Sequence, residues 1–312
     1  MEPVEVERIG RLYRVKRLGE HYRDHLSGYD ETTAPEELFH PENLGKKLTI
    51  DETGLIHGEL YTIVTNKEKG KLVALMKGTK AAEITTKLMA HLPVEKRMQV
   101  EEVTLDMDDG FDWVTRQCFP NAEFIVDRFH VQKLIMECVQ ALRITERQKI
   151  LTQRREVKKV GKTYKEIPYE NGDTPRQLLA RSRYFLFKPS SSWTENQKAR
   201  ATILFREYPD MQRAYELSQQ LKKLYDKQMS REIAVVLLRQ WCEDCDASNI
   251  PEMQDAAASV LRHEGRILNF WSNRATNAFA ESFNAKIKGF RGMLRGIKDI
   301  KFFLFRCQVY FS

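Results

Sequence analysis

Every strong strand signal in the chain falls between Lys47 and Asp127, and this confinement restricts the possible folds more than any other feature. Leu48-Thr49-Ile50-Asp51 is the first run, closed by Glu52-Thr53-Gly54. Leu60 to Thr65 is rich in β-branched and aromatic residues, Asn66 to Gly70 is a polar hairpin loop, and Leu72 to Met76 is a third strand. The period then changes: Ile84, Leu88, Met89 and Leu92 recur at helical spacing across Ala81 to Leu92. Val103 to Asp106 is a fourth strand, Phe111 to Cys118 a short helix, and Phe124 to Asp127 a fifth strand. The order βββαβαβ specifies an α/β fold, a mixed sheet with helices on its faces.

After Asp127 the pattern is helical. Val131 to Gln153 is amphipathic, Gly161 to Pro175 is a loop, and Thr194 caps a long helix interrupted at Tyr208-Pro209. Ser230 caps Arg231 to Cys242, and Pro251 opens a helix reaching about Phe270. The last helical segment is Asn277 to Lys288. The expected organisation is an N-terminal segment and linker over 1–46, with Thr32 to Pro41 as the linker, and a sheet-forming core over 47–132. An all-α block over 133–270 follows, and the core resumes over 271–312.

No stretch approaches the roughly 18 consecutive apolar residues of a membrane span, and Met1 to Glu7 is acidic with no apolar core of a signal peptide. The expected location is cytoplasmic. Five scattered cysteines form no disulfide framework. The close pair Cys242-x-x-Cys245 lacks two further ligands at zinc spacing and reads as ordinary helix cysteines. The net charge of +7 is uneven. Arg143 to Lys165 holds nine basic residues against two acidic ones, and Glu281 to Arg306 holds seven against two. Such clustering suits a polyanion lying along the surface; two solvated helix faces give the same pattern.

Asp51 and Asp106 stand at the last positions of their predicted strands, where functional side chains of such sheets gather. Asn277, Glu281, Asn284 and Lys288 fall on one face of the last helix, beside Phe279, Phe283 and Ile287, which should pack inward. Three acids from distant segments meeting at one point are what a pair of hard divalent cations requires. Spacing alone equally fits ordinary surface acids. Of the neighbouring acids Glu52, Asp108 and Asp109, Glu52 points to the opposite face of its strand from Asp51.

The local strings are more specific. Leu48 to Thr53, Thr104-Leu105-Asp106-Met107, Phe119-Pro120-Asn121-Ala122 and Val126 to Val131 resemble the catalytic core of bacterial insertion-sequence DDE transposases. Thr276 to Lys288 is similar to their final-glutamate helix, and Asp127-x-x-His130 to the Asp/Cys-x-x-His signature of Mutator-like and hAT transposases. The resemblance spans Leu48 to Arg306; the run Asp127 to Val131 and the glutamate helix carry its specificity.

This resemblance implies a ribonuclease-H-like sheet interrupted by an all-α insertion before the glutamate helix. It implies two Mg²⁺ or Mn²⁺ ions held by Asp51, Asp106 and Glu281, DNA cleavage at element ends, and transfer of a 3′-hydroxyl into target DNA. Asp127 and His130 are expected beside the site, His130 orienting a carboxylate or contacting the scissile strand; a buried, hydrogen-bonded histidine is the other reading. Asn277, Asn284, Lys286 and Lys288 are expected at DNA phosphates, as are Arg154, Arg155, Lys158 and Lys159 of the basic run. Trp193 is expected in packing rather than on a flipped base.

About forty-five residues precede the first strand, with neither cysteines nor a clear helix-turn-helix, so either a separate end-recognition protein or a truncated chain is expected. Bringing two ends together implies a homodimer or higher, working on the bacterial nucleoid. Two other classes stay open: another two-metal nuclease on the same fold, such as a junction resolvase or hybrid nuclease, and a non-catalytic DNA-binding relic.

Overall fold

In the computed structural model, which describes residues 20–55, 58–273, 278–293 and 299–311, the strand-forming runs assemble one six-stranded sheet. Its strands are β1 (Leu38–Phe39), β2 (Lys47–Gly54), β3 (Leu60–Asn66), β4 (Lys71–Lys77), β5 (Glu102–Leu105) and β6 (Glu123–Val126). They lie in the order β1-β4-β3-β2-β5-β6. The meander β2-β3-β4 is antiparallel, whereas β5 is parallel to β2 and β6 to β5. Parallel neighbours need crossovers; helix α1 (Ala81–His91) precedes β5, and α2 (Asp109–Cys118) joins β5 to β6. The chain then runs through helices that include α3 (Arg128–Lys159) and α4 (Pro209–Asp226), and returns as α5 (Ala278–Met293) and α6 (Ile300–Phe311).

The chain divides into two compact units, one built from the segments up to Asp127 and from Ala275 onward, the other spanning Arg128–Arg274. In the first, strand alternation sends side chains to two cores. Leu48, Ile50, Val64, Val103 and Leu105 meet Ile84 and Leu88 of α1 and Phe111 and Val114 of α2. On the opposite face, Tyr61, Ile63, Leu72 and Leu75 meet Phe283, Ile287 and Phe290 of α5 and Phe303 and Phe311 of α6. The β3–β4 loop is held by Asn66, whose Oδ1 accepts from the Glu68 and Lys69 N–H groups, and closes at Gly70 with φ of 68°.

Among its described residues the second unit contains helices and loops and no strand. Helix α3 buries Val131, Ile135, Val139, Gln140 and Arg143, all in its first half. Thr194 and Gln197 form a reciprocal capping box at the helix Glu195–Glu207, which stops before Pro209. The predicted helix from Pro251 to Phe270 is two, Pro251–Arg262 and Glu264–Asn273, because His263 leaves helical geometry between them. Cys242 and Cys245 are buried on the helix Arg231–Asp246, and burial pushes the Cys242 thiol up to about 12 and Cys245 higher still. Among the described residues no group of three His, Cys, Asp or Glu side chains is arranged to hold a metal, and no helix is long and apolar enough to cross a membrane.

Three features differ from the sequence reading. The segment read as a linker contributes β1, which pairs with β4 at Leu38 opposite Leu75. Strand β2 continues beyond Asp51 because its ladder with β3 runs on to Gly54 opposite Leu60. A further helix, α6, follows the glutamate helix and buries Phe302, Phe303, Leu304, Cys307 and Phe311. Ile287 is fully buried between α5 and the sheet. Ile287→Ala is expected to cost about 2–5 kcal/mol and lower the melting temperature, with exposed Ser282→Ala as the unchanged control.

Candidate active site

The ladder between β2 and β5 sets Lys47 opposite Glu102, Leu48 opposite Val103 and Thr49 opposite Thr104. The ladder between β5 and β6 ends with Leu105 opposite Val126, and the Asp127 N–H donates to the Leu105 carbonyl at 3.0 Å. Carried on at these offsets, Asp51, Asp106 and Asp127 form one row across three parallel strands, whose axes are roughly 4.7–4.9 Å apart. Alternation puts Asp51 on the face opposite Leu48 and Ile50, the face that α5 covers. Asp106 and Asp127 directly follow their strands, whereas Asp51 lies within β2.

Each carboxylate is held locally. Asp51 Oδ1 accepts from the Glu52 N–H at 2.8 Å, and Asp106 Oδ1 accepts from the Met107 N–H at 2.6 Å. Asp51 Oδ2 accepts from Asn284 Nδ2 at 2.5 Å, a contact from α5 to the centre of the sheet. Only the amide nitrogen can donate to a carboxylate, so the orientation of Asn284 is fixed by its partner. Asn284 is 8% exposed, and its Oδ1 has no hydrogen-bond partner among the described residues. In this structure its amide is turned to the acid. Glu281 lies three residues earlier on α5, one turn away on the same side of the helix; its side chain and all of Asn277 lie outside the described residues. Lys286 and Lys288 are exposed.

Negative charge accumulates here. The Glu52 carboxyl is pushed above its ordinary value, first by partial desolvation and then by Asp108, Asp106 and Asp51. Asp108 caps α2 by accepting from the Phe111 N–H at 3.0 Å. Glu52 therefore feels the aspartates although strand alternation sends it the other way. Hard oxygen donors on adjacent strands, with further carboxylates close enough to raise the Glu52 pKa, fit a hard divalent cation such as Mg²⁺ or Mn²⁺. No cysteine takes part.

Asp127 is buried at 2% exposure and belongs to the first unit; His130 is half-buried in the second, edge-on to Phe129 with ring centroids 5.8 Å apart. In the basic run Arg143 is not a surface residue. It donates to the Leu179 carbonyl at 2.8 Å and to Gln140 at 2.7 Å, and burial, with Arg183 and Arg147 nearby, lowers its pKa. Arg155, Lys158 and Lys159 are exposed and Arg154 half-buried, on the part of α3 that buries nothing. Trp193 donates to the Phe185 carbonyl at 2.8 Å and packs against Phe185 and Tyr215, and Trp271 stacks on Tyr225, so both are packing residues.

A family model described as a transposase, of the ISL3 DDE type, matches residues 48–307. The chain belongs to this transposase family. The transposase for insertion sequence element IS1557 of Mycobacterium tuberculosis is 26% identical over 251 residues, covering 78% of this chain and 55% of the relative. The transposase for insertion sequence element IS1001 of Bordetella parapertussis is 21% identical over 265 residues, covering 85% of this chain and 60% of the relative. The chain thus spans little more than half the length of these curated transposases. No solved structure matches it significantly.

Two expectations test the electrostatics. A carboxyl whose folded pKa is raised destabilises the fold above that pKa and has no effect once protonated in both states. In chelator-containing buffer Glu52→Gln is therefore expected to raise the melting temperature at neutral pH, the gain fading as pH falls towards about 4, the unfolded carboxyl range. Separately, Mg²⁺ or Mn²⁺ is expected to raise the wild-type melting temperature through binding the folded state, and to raise that of Asp51→Asn much less.

Proposed function

We propose that this chain carries the catalytic portion of an insertion-sequence transposase, which cuts DNA at the element ends and joins the freed 3′-hydroxyl to target DNA. The observation that carries this reading is Asp51 standing in register with Asp106 on parallel strands, under the helix that bears Glu281 and reaches Asp51 through Asn284. The sheet order and the long helical stretch between β6 and α5 are read as a ribonuclease-H-like core with an all-α insertion.

Asp51, Asp106 and Glu281 would hold the family's divalent ions, taken here as two Mg²⁺ or Mn²⁺. Such a pair supplies activation of the attacking oxygen and neutralisation of the leaving one. The rest of the work falls to the chain. The Glu52 and Met107 N–H groups and the Asn284 amide fix the aspartate rotamers before substrate arrives, so little reorganisation is needed at reaction. Lys286 and Lys288, with Asn277, take phosphates beside Glu281; Asp127 and His130 position the scissile strand or a carboxylate. Arg154, Arg155, Lys158 and Lys159 receive flanking or target DNA along the solvated end of α3. Such contacts position DNA without reading sequence. The working assembly is taken as a homodimer or higher on the nucleoid.

Asp106→Asn is expected to abolish Mg²⁺- or Mn²⁺-dependent cleavage while leaving DNA affinity intact, measured on labelled duplexes. Wild-type cleavage in that variant would remove Asp106 from the site. Cleavage by the wild type with no joining of a 3′-hydroxyl end to a second duplex would make the protein a nuclease instead.

A further inference from the structure

We propose that a groove between α3 and α4 in the helical unit receives one unstacked nucleobase of bound DNA. The identity of the ligand as DNA rests on the transposase reading; the groove rests on its own geometry. It is a cleft of about 210 Å³, with Phe129 on the first turn of α3 and Phe187 on the short helical turn Phe185–Phe187. The two aromatics on that turn have opposite fates. Phe185 is 1% exposed and packs under Trp193, whereas Phe187 is 43% exposed and Phe129 50%. Two large aromatic surfaces left partly in water within one cleft offer π-faces to a ligand, and every base has a π-face.

Size and charge narrow the occupant. The cleft is smaller than the roughly 300–1,000 Å³ of sites that take a whole cofactor or drug-sized molecule, so it is scaled to a single ring system. Lys133 of α3 and Lys222 of α4 stand in its lining, and no acidic residue does. Gln132 and Gln219 add amides able to hydrogen-bond base edges. Stacking faces with cations beside them are the arrangement of a single-strand site, where phosphates meet lysines and bases meet rings. Lys133 also pairs with the exposed Glu137 at 3.9 Å; an apolar segment of another protein would bring no charge to Lys222. The groove also uses what the transposase chemistry leaves over: Phe129 sits inside the run Asp127 to Val131, and α3 continues into the exposed basic stretch.

The probe is a short single-stranded oligonucleotide carrying one 2-aminopurine, titrated into the full chain, with the matched duplex beside it. Quenching of 2-aminopurine emission is expected with wild type. Phe187→Ala is expected to weaken single-strand binding on the order of 5- to 150-fold, the about 1–3 kcal/mol of one base–aromatic stack, with duplex affinity unchanged. Phe187→Trp should retain the quench, which separates lost stacking from lost folding. Lys222→Gln is expected to reduce the salt dependence of single-strand binding by about 0.7 in slope. Single-strand affinity and quenching unchanged in both Phe187→Ala and Phe129→Ala would overturn the proposal. So would an effect of Phe187→Ala on self-association alone in sedimentation, which would seat a protein segment in the groove. Absence of cleavage and joining in the wild type, with quenching intact, would count against the transposase reading and leave the groove standing.

Discussion

Parallel hydrogen bonding between β2 and β5 runs at one offset from Lys47 opposite Glu102 to Thr49 opposite Thr104, and that offset decides which side chains meet two residues further on. Slipping it by one residue would send Asp106 to the other face of the sheet from Asp51. The register is pinned by polar contacts that tolerate no slip. Lys67 Nζ donates to Glu102 Oε1 at 2.7 Å and to Thr104 Oγ1 at 2.9 Å, with the Glu102 side chain 4% exposed; the neighbouring β2–β3 register is held in turn by the Thr49 and Thr65 hydroxyls, which share a hydrogen bond at 2.6 Å. Buried ionic groups add little net stability, but a mispaired one is costly, and that asymmetry favours a single register.

The two faces of the sheet divide the work. One packs α1 and α2 against Leu48, Ile50, Val103 and Leu105, fixing the strands that carry the aspartates. The other receives α5 through Phe283, Ile287 and Phe290, and one polar residue on that helix, Asn284, passes the packing on to the acid. A helix held by apolar side chains on both sides of Asn284 cannot rotate without breaking the contact to Asp51. In the helical unit the same economy appears along α3: its first half buries a stripe of residues, and its second half is left in water with its basic side chains.

Much of this was legible in the sequence. The runs Leu60 to Thr65 and Leu72 to Met76 are dense in β-branched and apolar residues, so five of the six strands could be placed. Asp127 marked the end of strand signals, and Pro209 and Thr194 marked helix ends. The two-residue strand β1 was hidden because its pairing with β4 is wholly long-range. Placing Asp51 at a strand end failed because local sequence does not reveal how far β3 pairs with β2. Counting Arg143 with the surface charges failed because its partner, the Leu179 carbonyl, lies 36 residues away. Asn284 was placed on the right face of its helix, but that face meets a carboxylate, which only the packing of α5 on the sheet determines.

The most direct measurement is the position of Mn²⁺, by anomalous scattering, in crystals of the full chain grown with the ion. The expected result is an ion within about 2.6 Å, the outer reach of hard-cation–oxygen ligation, of carboxylate oxygens from both Asp51 and Asp106. An ion bound between Glu52 and Asp108, with Asp51 and Asp106 untouched, would contradict it.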